Sequence, residues 1–310
     1  MTLSFNLKSV VVVALIFLVS ACVSPPPPPF VSEIDRLTAR AEQVEIIRDD
    51  FGVPHIYGKT DADAVFGLLY AQAEDDFKRV ERNYIWAIGR LAEVEGEKAL
   101  YSDLRARLFM SVEQAKLDYQ NSPAALKALC DAFADGLNYY LATHPNVKPA
   151  LLTKFEPWMP MFFSEGSIGG DIEQISEKGV AAFYGDKAVH QDTPDLAMVE
   201  PSGSNGFAIS GKLTKSGDAM LLINPHTSFY FRPEVHVVSE EGLNAYGAVT
   251  WGQFFVYQRF NYKHGFIQNA NPTPFTPARE FSPKAEYYPT YQLIWPLILK
   301  IAEAYMRFKY

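Results

Sequence analysis

Residues 201–210 read Pro-Ser-Gly-Ser-Asn-Gly-Phe-Ala-Ile-Ser, and at Ser204 a polar stretch gives way to the opening of a strand. Upstream, from Ser164 to Gly203, the chain is rich in Gly, Ser, Asp and Glu and reads as a loop or linker. Downstream, Gly206–Ile223 and Glu234–Tyr257 read as β-rich. Twenty-two residues after Ser204 stands Asn224-Pro225-His226. Ser and Asn favour turns because their side chains bond their own backbone. Taken alone, neither Gly-Ser-Asn nor a His after a Pro specifies a site.

Toward the N-terminus of that junction the pattern is helical. Val44–Ile47 predicts a strand, Phe51-Gly52-Val53-Pro54 a turn, and His55-Ile56-Tyr57 a second strand. Thr60 or Asp61 then caps a long helix. Its apolar face is Phe66, Leu69, Ala73, Phe77, Val80, Tyr84, Ala87 and Leu91, spaced by threes and fours. Glu74, Asp75, Lys78, Glu81 and Arg82 form the expected solvated or salt-bridged face, and Gly89 ends or bends the helix. A second helix is expected from Ser122 as cap and Pro123 at its first position, running through Leu126, Leu129, Phe133, Leu137 and Leu141. Cys130 lies on that apolar pattern and reads as a buried structural thiol.

The first 43 residues carry a different signal. Lys8 precedes the apolar run Val10–Val19, followed by Ser20-Ala21-Cys22. About ten apolar residues are too few for a bilayer roughly 30 Å thick, which takes about 20 as a helix. A basic start, a short apolar core and small residues form a secretory signal. Val19-Ser20-Ala21-Cys22 resembles the bacterial lipobox, which implies lipidation of Cys22 and, with Val23 following, the periplasmic face of the outer membrane. The expectation is an exported protein held to the membrane through a lipid anchor. Pro25–Pro29 is a stiff extended spacer at about 3.1 Å per residue; a ligand for a proline-binding partner domain is the rival reading.

Composition sets the outer bounds. The 310 residues carry a formal net charge of −8, with 48% apolar, 14% aromatic and 21% charged residues, which is globular. An acidic balance argues against a nucleic-acid partner, which needs clustered Lys and Arg. Two cysteines make no disulfide scaffold.

Three ordered blocks resemble the penicillin acylase family of N-terminal-nucleophile hydrolases, which includes acyl-homoserine-lactone acylases. The first runs from Ile47-Arg48-Asp49-Asp50-Phe51-Gly52-Val53-Pro54-His55-Ile56 through Asp61-Ala62-Asp63-Ala64 and Tyr70-Ala71-Gln72-Ala73-Glu74-Asp75 to Gly89-Arg90-Leu91-Ala92-Glu93. The second is Ala134-Asp135-Gly136-Leu137-Asn138 with Glu156-Pro157-Trp158. The third is Gly203-Ser204-Asn205 with Phe207, then Asn224-Pro225-His226. The likeness spans residues 44 to 260.

The resemblance implies an α+β fold of four αββα layers, and a precursor that cuts itself between Gly203 and Ser204 into α and β chains. The freed α-amine of Ser204 would act as base for its own hydroxyl, since such amines have a pKa of about 7.7–8.0. His226 matches the position that supports that amine. A small-molecule amide, β-lactam-like or a homoserine lactone amide, would be deacylated through an ester on Ser204. No cofactor is required for that chemistry. Trp251, Phe254, Phe255 and Tyr257 are candidates for an acyl pocket; ordinary strand core is the alternative. Some members hold a structural calcium through a linker Glu, and Glu173 is the candidate here. Asp49, Asp50, Asp61 and Asp63 lack EF-hand spacing and read as turn carboxylates. His226 and His236 make no zinc motif.

The division expected is 1–21 signal peptide, 22–43 proline-rich tether, 44–163 acylase α-chain region, 164–203 linker, 204–260 start of the β chain and 261–310 a diverged tail. The tail carries prolines at 272, 274, 277, 283, 289 and 296, hostile to central strands, and Leu293–Tyr310 reads as a separate helix. The family's oxyanion-hole Asn falls far downstream in the resemblance. The expectation is therefore a truncated, frame-changed or fused copy, incomplete and inactive as it stands. A non-catalytic envelope lipoprotein keeping the scaffold is the rival function. A Ser-His-Asp hydrolase is disfavoured, because no Gly-x-Ser-x-Gly elbow surrounds Ser204.

Overall fold

The computed structural model describes residues 32–162, 175–185, 204–225, 232–260 and 265–266. The proposed signal peptide, Cys22, the proline run and the tail beyond 266 lie outside the described residues. Two units divide the chain, Met1–Arg36 and Leu37–Tyr310. Of the first, the described part opens helix α1 (Glu33–Ala41), where the Asp35 amide donates to Ser32 Oγ at 3.2 Å.

The second unit is α+β. Strand β1 (Val44–Arg48) turns into β2 (Pro54–Gly58), antiparallel with Ile46 opposite Ile56, as the sequence predicts. Asp49 builds that turn, accepting from the Phe51 and Val53 amides at 2.9 Å each. Helix α2 (Asp61–Ala87) follows. Thr60 caps it through a reciprocal box with Asp63, and beyond its end Gly89 takes φ +66°, a left-handed turn that favours glycine. Asp76, at φ −156° and ψ 72°, breaks the helix midway and restarts it by accepting from the Arg79 amide at 3.0 Å.

After α2 come α3 (Ala92–Glu95), α4 (Leu100–Arg107), α5 (Val112–Asn121) and α6 (Ala124–Thr143). Ser122 closes α5, its hydroxyl donating to Asp118 O at 2.7 Å, and α6 begins after Pro123 without a side-chain cap. The expected helix is therefore present, but Ser122 belongs to the element before it. In the linker, Glu177–Phe183 forms helix α7.

Two sheets are present among the described residues. The larger has the order β1-β2-β5-β6-β7-β8, with β5 (Glu234–Ser239), β6 (Asn244–Val249), β7 (Val256–Phe260) and β8 (Gly265–Phe266). Its β2–β5 pair is parallel and joins residues some 180 apart in sequence; the other pairs are antiparallel. The smaller sheet is the hairpin β3 (Ser204–Ile209) and β4 (Met220–Pro225).

The core lies between the larger sheet and α2, with α6 packed behind α2. Ile56, Val235, Val237, Ala245 and Val249 bury one sheet face. Phe66, Leu69, Phe77, Val80 and Tyr84 of α2 meet Phe133, Leu137 and Tyr140 of α6, all buried. The two helices approach closely at Gly136, where an added Cβ would stand 2.4 Å from the Phe66 carbonyl oxygen. Cys130 is fully buried within this layer, as expected.

One helix position departs from the sequence reading. Glu81, placed by spacing on the solvated face, is 2% exposed. Its Oε1 accepts from the Leu151 and Leu152 amides at 2.8 Å each and its Oε2 from Ala150 at 3.0 Å. The reason is tertiary: the chain after α6 folds back over α2 with three amides that need acceptors. Its neighbours behave as expected, with Glu74 and Asp75 paired to Arg48 and Arg82 to Glu95.

Candidate active site

Ser204 is the first residue of β3, so the polar-to-strand junction falls where the sequence places it. The hairpin register sets Ser204 opposite Pro225 and Asn205 opposite Asn224. The backbone of the candidate nucleophile is thereby held across from the residue immediately before His226. Gly203, His226 and Glu173 lie outside the described residues, as does the side chain of Ser204.

The hairpin presents apolar side chains on both faces. Phe207 pairs with Leu222 and Ile209 with Met220 on one face; they are 61%, 52%, 42% and 59% exposed. Leu221 on the opposite face is 42% exposed. A two-stranded hairpin is marginal in water by itself, and covering a Phe, Leu, Ile or Met side chain contributes about 1.5–3 kcal/mol.

Of the aromatic candidates, Trp251, Phe254 and Phe255 sit on the loop between β6 and β7, and Tyr257 falls within β7. Phe254 is 7% exposed and belongs to the core, against Phe255 at a ring separation of 4.5 Å. Trp251 and Phe255 are partly buried against that core. Helix α2 fixes the loop backbone: the Gly252 amide donates to Gln72 Oε1 at 2.8 Å and Gln72 Nε2 to Gln253 O at 2.9 Å. Tyr84 donates its hydroxyl to Gly252 O at 2.8 Å, and Asn83 Nδ2 donates to Trp251 O at 3.0 Å. The side chain of Tyr257 lies outside the described residues.

Other block residues prove to be framework. Arg40 reaches Asp135 at 2.8 Å and Asp63 at 3.3 Å, joining α1, α2 and α6. Asn138 donates to Phe155 O and accepts from Phe155 N at 2.9 and 2.8 Å, tying the Glu156-Pro157-Trp158 segment to α6. Asp61 accepts from the Ser239 hydroxyl at 2.5 Å, linking α2 to β5. Asp49, Asp61 and Asp63 are thus engaged in turns and caps. Among the described residues no group of three or more His, Cys, Asp or Glu side chains is placed to hold a metal ion, and no helix is long and apolar enough to cross a membrane.

Sequence spacing missed one polar cluster. His55 and His236 meet across the parallel β2–β5 pair, with Asp49, Tyr57, Asn244 and Tyr246 around them. Their separation of 181 residues left no local signal.

The comparisons with known proteins agree in direction. An acyl-homoserine lactone acylase QuiP of Pseudomonas putida is 31% identical over 136 residues, covering 43% of this chain and 17% of its own length. The penicillin acylase 2 proenzyme of a Pseudomonas species is 31% identical over 120 residues, 38% of this chain and 16% of its own. An acyl-homoserine lactone acylase PvdQ of Pseudomonas fluorescens is 24% identical over 251 residues, 70% of this chain and 32% of its own. The matched stretches thus span about a sixth to a third of these relatives. A solved thermostable penicillin G acylase from Alcaligenes faecalis covers 51% of this chain and 98% of its own at 18% identity, with a TM-score of 0.37, too loose to carry an argument. The penicillin amidase model matches residues 43–277, about three quarters of the sequence, and the chain belongs to the penicillin amidase family.

Proposed function

We propose that Ser204 is the nucleophile of an amide-hydrolysing acylase, made available when the precursor cuts itself between Gly203 and Ser204. The observation that supports this most is the strand register, which sets Ser204 opposite Pro225 at the head of a hairpin within the family-matched segment. In the self-cleavage step Ser204 Oγ attacks the Gly203 carbonyl carbon and the peptide C–N bond breaks. An ester forms and the α-amine of Ser204 is released. Water then opens the ester, leaving a Gly203 carboxylate and a free Ser204 hydroxyl. Glycine at 203 admits the backbone torsions such an attack needs.

In the mature reaction the α-amine takes the hydroxyl proton as Oγ adds to a substrate amide carbonyl. The proton passes to the leaving amine, and an acyl ester remains on Ser204. Water, deprotonated by the same amine, releases the carboxylic acid. His226, next after Pro225, supports the amine in this reading, and Trp251 and Phe255 flank the acyl group. The relatives point to acyl-homoserine lactones or penicillins as the substrate class. The same reading covers the apolar hairpin with a second sheet, completing the αββα layers, and attaches the protein to a membrane through Cys22.

N-terminal sequencing and intact-mass measurement of the purified full chain test the proposal. The expected result is a terminus beginning Ser-Asn-Gly-Phe, lost in Ser204→Ala, with lipid mass lost in Cys22→Ser. A folded chain that stays undivided on prolonged incubation overturns the self-cleavage reading.

A further inference from the structure

Among the described strands, the parallel β2–β5 pair is the one ladder joining the chain before residue 204 to the chain after it. Two imidazoles meet there nitrogen to nitrogen. His55 and His236 are register partners, with their Nδ1 atoms 2.9 Å apart. The ring centroids lie 5.1 Å apart, so the line between the nitrogens runs close to the line of centroids, and each ring aims its Nδ1 at the other. A metal ion held in line would need the nitrogens roughly 4 Å apart, given bonds of about 2.0–2.1 Å. A proton fits, because 2.9 Å is an ordinary N–H···N hydrogen bond.

The far side of each ring decides how many protons the pair can take. Nε2 of His55 faces Asp49 Oδ2 at 3.5 Å, and Nε2 of His236 faces Asn244 Oδ1 at 3.4 Å. Both contacts are long, but a carboxylate can only accept, and the amide oxygen as placed does the same, so each favours N–H on Nε2. With both Nε2 atoms protonated, two Nδ1 lone pairs confront each other. One proton between them turns repulsion into a bond; a second sets two N–H groups head to head.

We propose that the His55–His236 pair is a seat for one shared proton, and that a second proton, arriving in mild acid, unlatches β2 from β5. The other groups facing the pair are Asp49 from the β1–β2 turn, Ile47 and Glu45 from β1, Tyr57 from β2, Glu234 from β5, and Tyr246 and Asn244 from β6. Tyr246 stays neutral throughout the acid range, its phenol pushed up to about 12 by burial and by Glu234 beside it. Desolvation pulls the Asp49 carboxyl up, but the Val53 and Phe51 amides and His55 together outweigh it and hold the group below its ordinary range. Burial, together with charge on His55, pushes the His236 imidazole down against the pull of Asn244. For this second proton a depressed folded value means that the stability it removes is present above about 6.5, the unfolded value, and is lost as pH falls through the folded one. This inference does not depend on the nucleophile reading.

Amide hydrogen exchange on the full chain at pH 7.5 and 5.0, corrected for intrinsic rates, tests it. The expected result is a loss of about tenfold or more in protection across 235–239, against less than about threefold for 66–73 of α2. Histidine C2–H exchange should show the pair titrating in two steps split by more than about one pH unit. In His55→Gln the loss confined to β5 should shrink and the two-step titration should collapse to one, with burial still holding His236 below its ordinary range. Equal protection at both pH values overturns the proposal. So does a loss shared evenly with α2, an unsplit titration, or a β5 loss as large in His55→Gln as in the wild type. If that variant fails to fold, the two wild-type measurements decide.

Discussion

Replacing Glu81 by Ala tests how the segment after α6 is held down. Three backbone amides, at Ala150, Leu151 and Leu152, donate to this one carboxylate. Hydrogen bonds to a charged group contribute about 1.5–3 kcal/mol each. The three are not equal, however. Ala150 is exposed and Leu151 half-buried, so water can replace much of what they lose; Leu152 is 4% exposed and cannot be rescued that way. The expected net loss is about 3 kcal/mol, one unsatisfied buried amide plus the weakened remainder. With a urea dependence of about 1–3 kcal/mol/M, the midpoint should fall by about 1–3 M. Glu81→Gln keeps one acceptor oxygen but turns an NH₂ toward the amides, and should recover only part of the loss. Hydrogen exchange at 150–152 should rise more than at the β1–β2 pair. A midpoint shift below about 0.3 M, or exchange unchanged at those three amides, would refute the reasoning.

Gly136→Ala drives a Cβ to 2.4 Å from the Phe66 carbonyl; the expected loss is about 1–3 kcal/mol, read by thermal or urea unfolding, with Ala128→Ser at an exposed position of the same helix as a folded comparison. Tyr84→Phe removes the hydroxyl bond to Gly252 O and should cost about 1 kcal/mol, with faster amide exchange at 251–253. Cys130 should resist alkylation at pH 8 in the native chain and react on denaturation, because burial pushes its thiol up to about 12; peptide mapping separates it from Cys22.

Local chemistry made part of this fold legible. The β1–β2 hairpin, the Thr60 cap, the left-handed Gly89 and the apolar stripe of α2 follow from short-range pattern, and the structure has each of them. Glu81 was not legible, since a carboxylate at a polar helix position gives no sign that a later segment brings it three amides. Sequence alone assigns Ser122 to the helix after it, because a Ser-Pro pair looks the same ending one helix or leading into the next. The parallel pairing of β2 with β5 and the histidine contact on it depend on a closure of some 180 residues that neither strand encodes. At the candidate site, Ser204 stood out only through the ordered blocks. The reason those blocks contain Asp135, Gly136 and Asn138 appeared only when Arg40, Phe66 and Phe155 were beside them.

The long-range closure also bears on how the protein is made. Strand β2 is complete at Gly58 and paired on one edge with β1, but the partner for its other edge does not begin until Glu234. At about 5–20 residues per second, a ribosome needs roughly 10 to 35 s to cover that interval. Throughout it the nascent chain carries an unpaired strand edge, beside helices α2 and α6 once each has been made. An edge of that kind invites pairing with other chains, so newly made protein should depend on a holding chaperone for longer than its size alone requires.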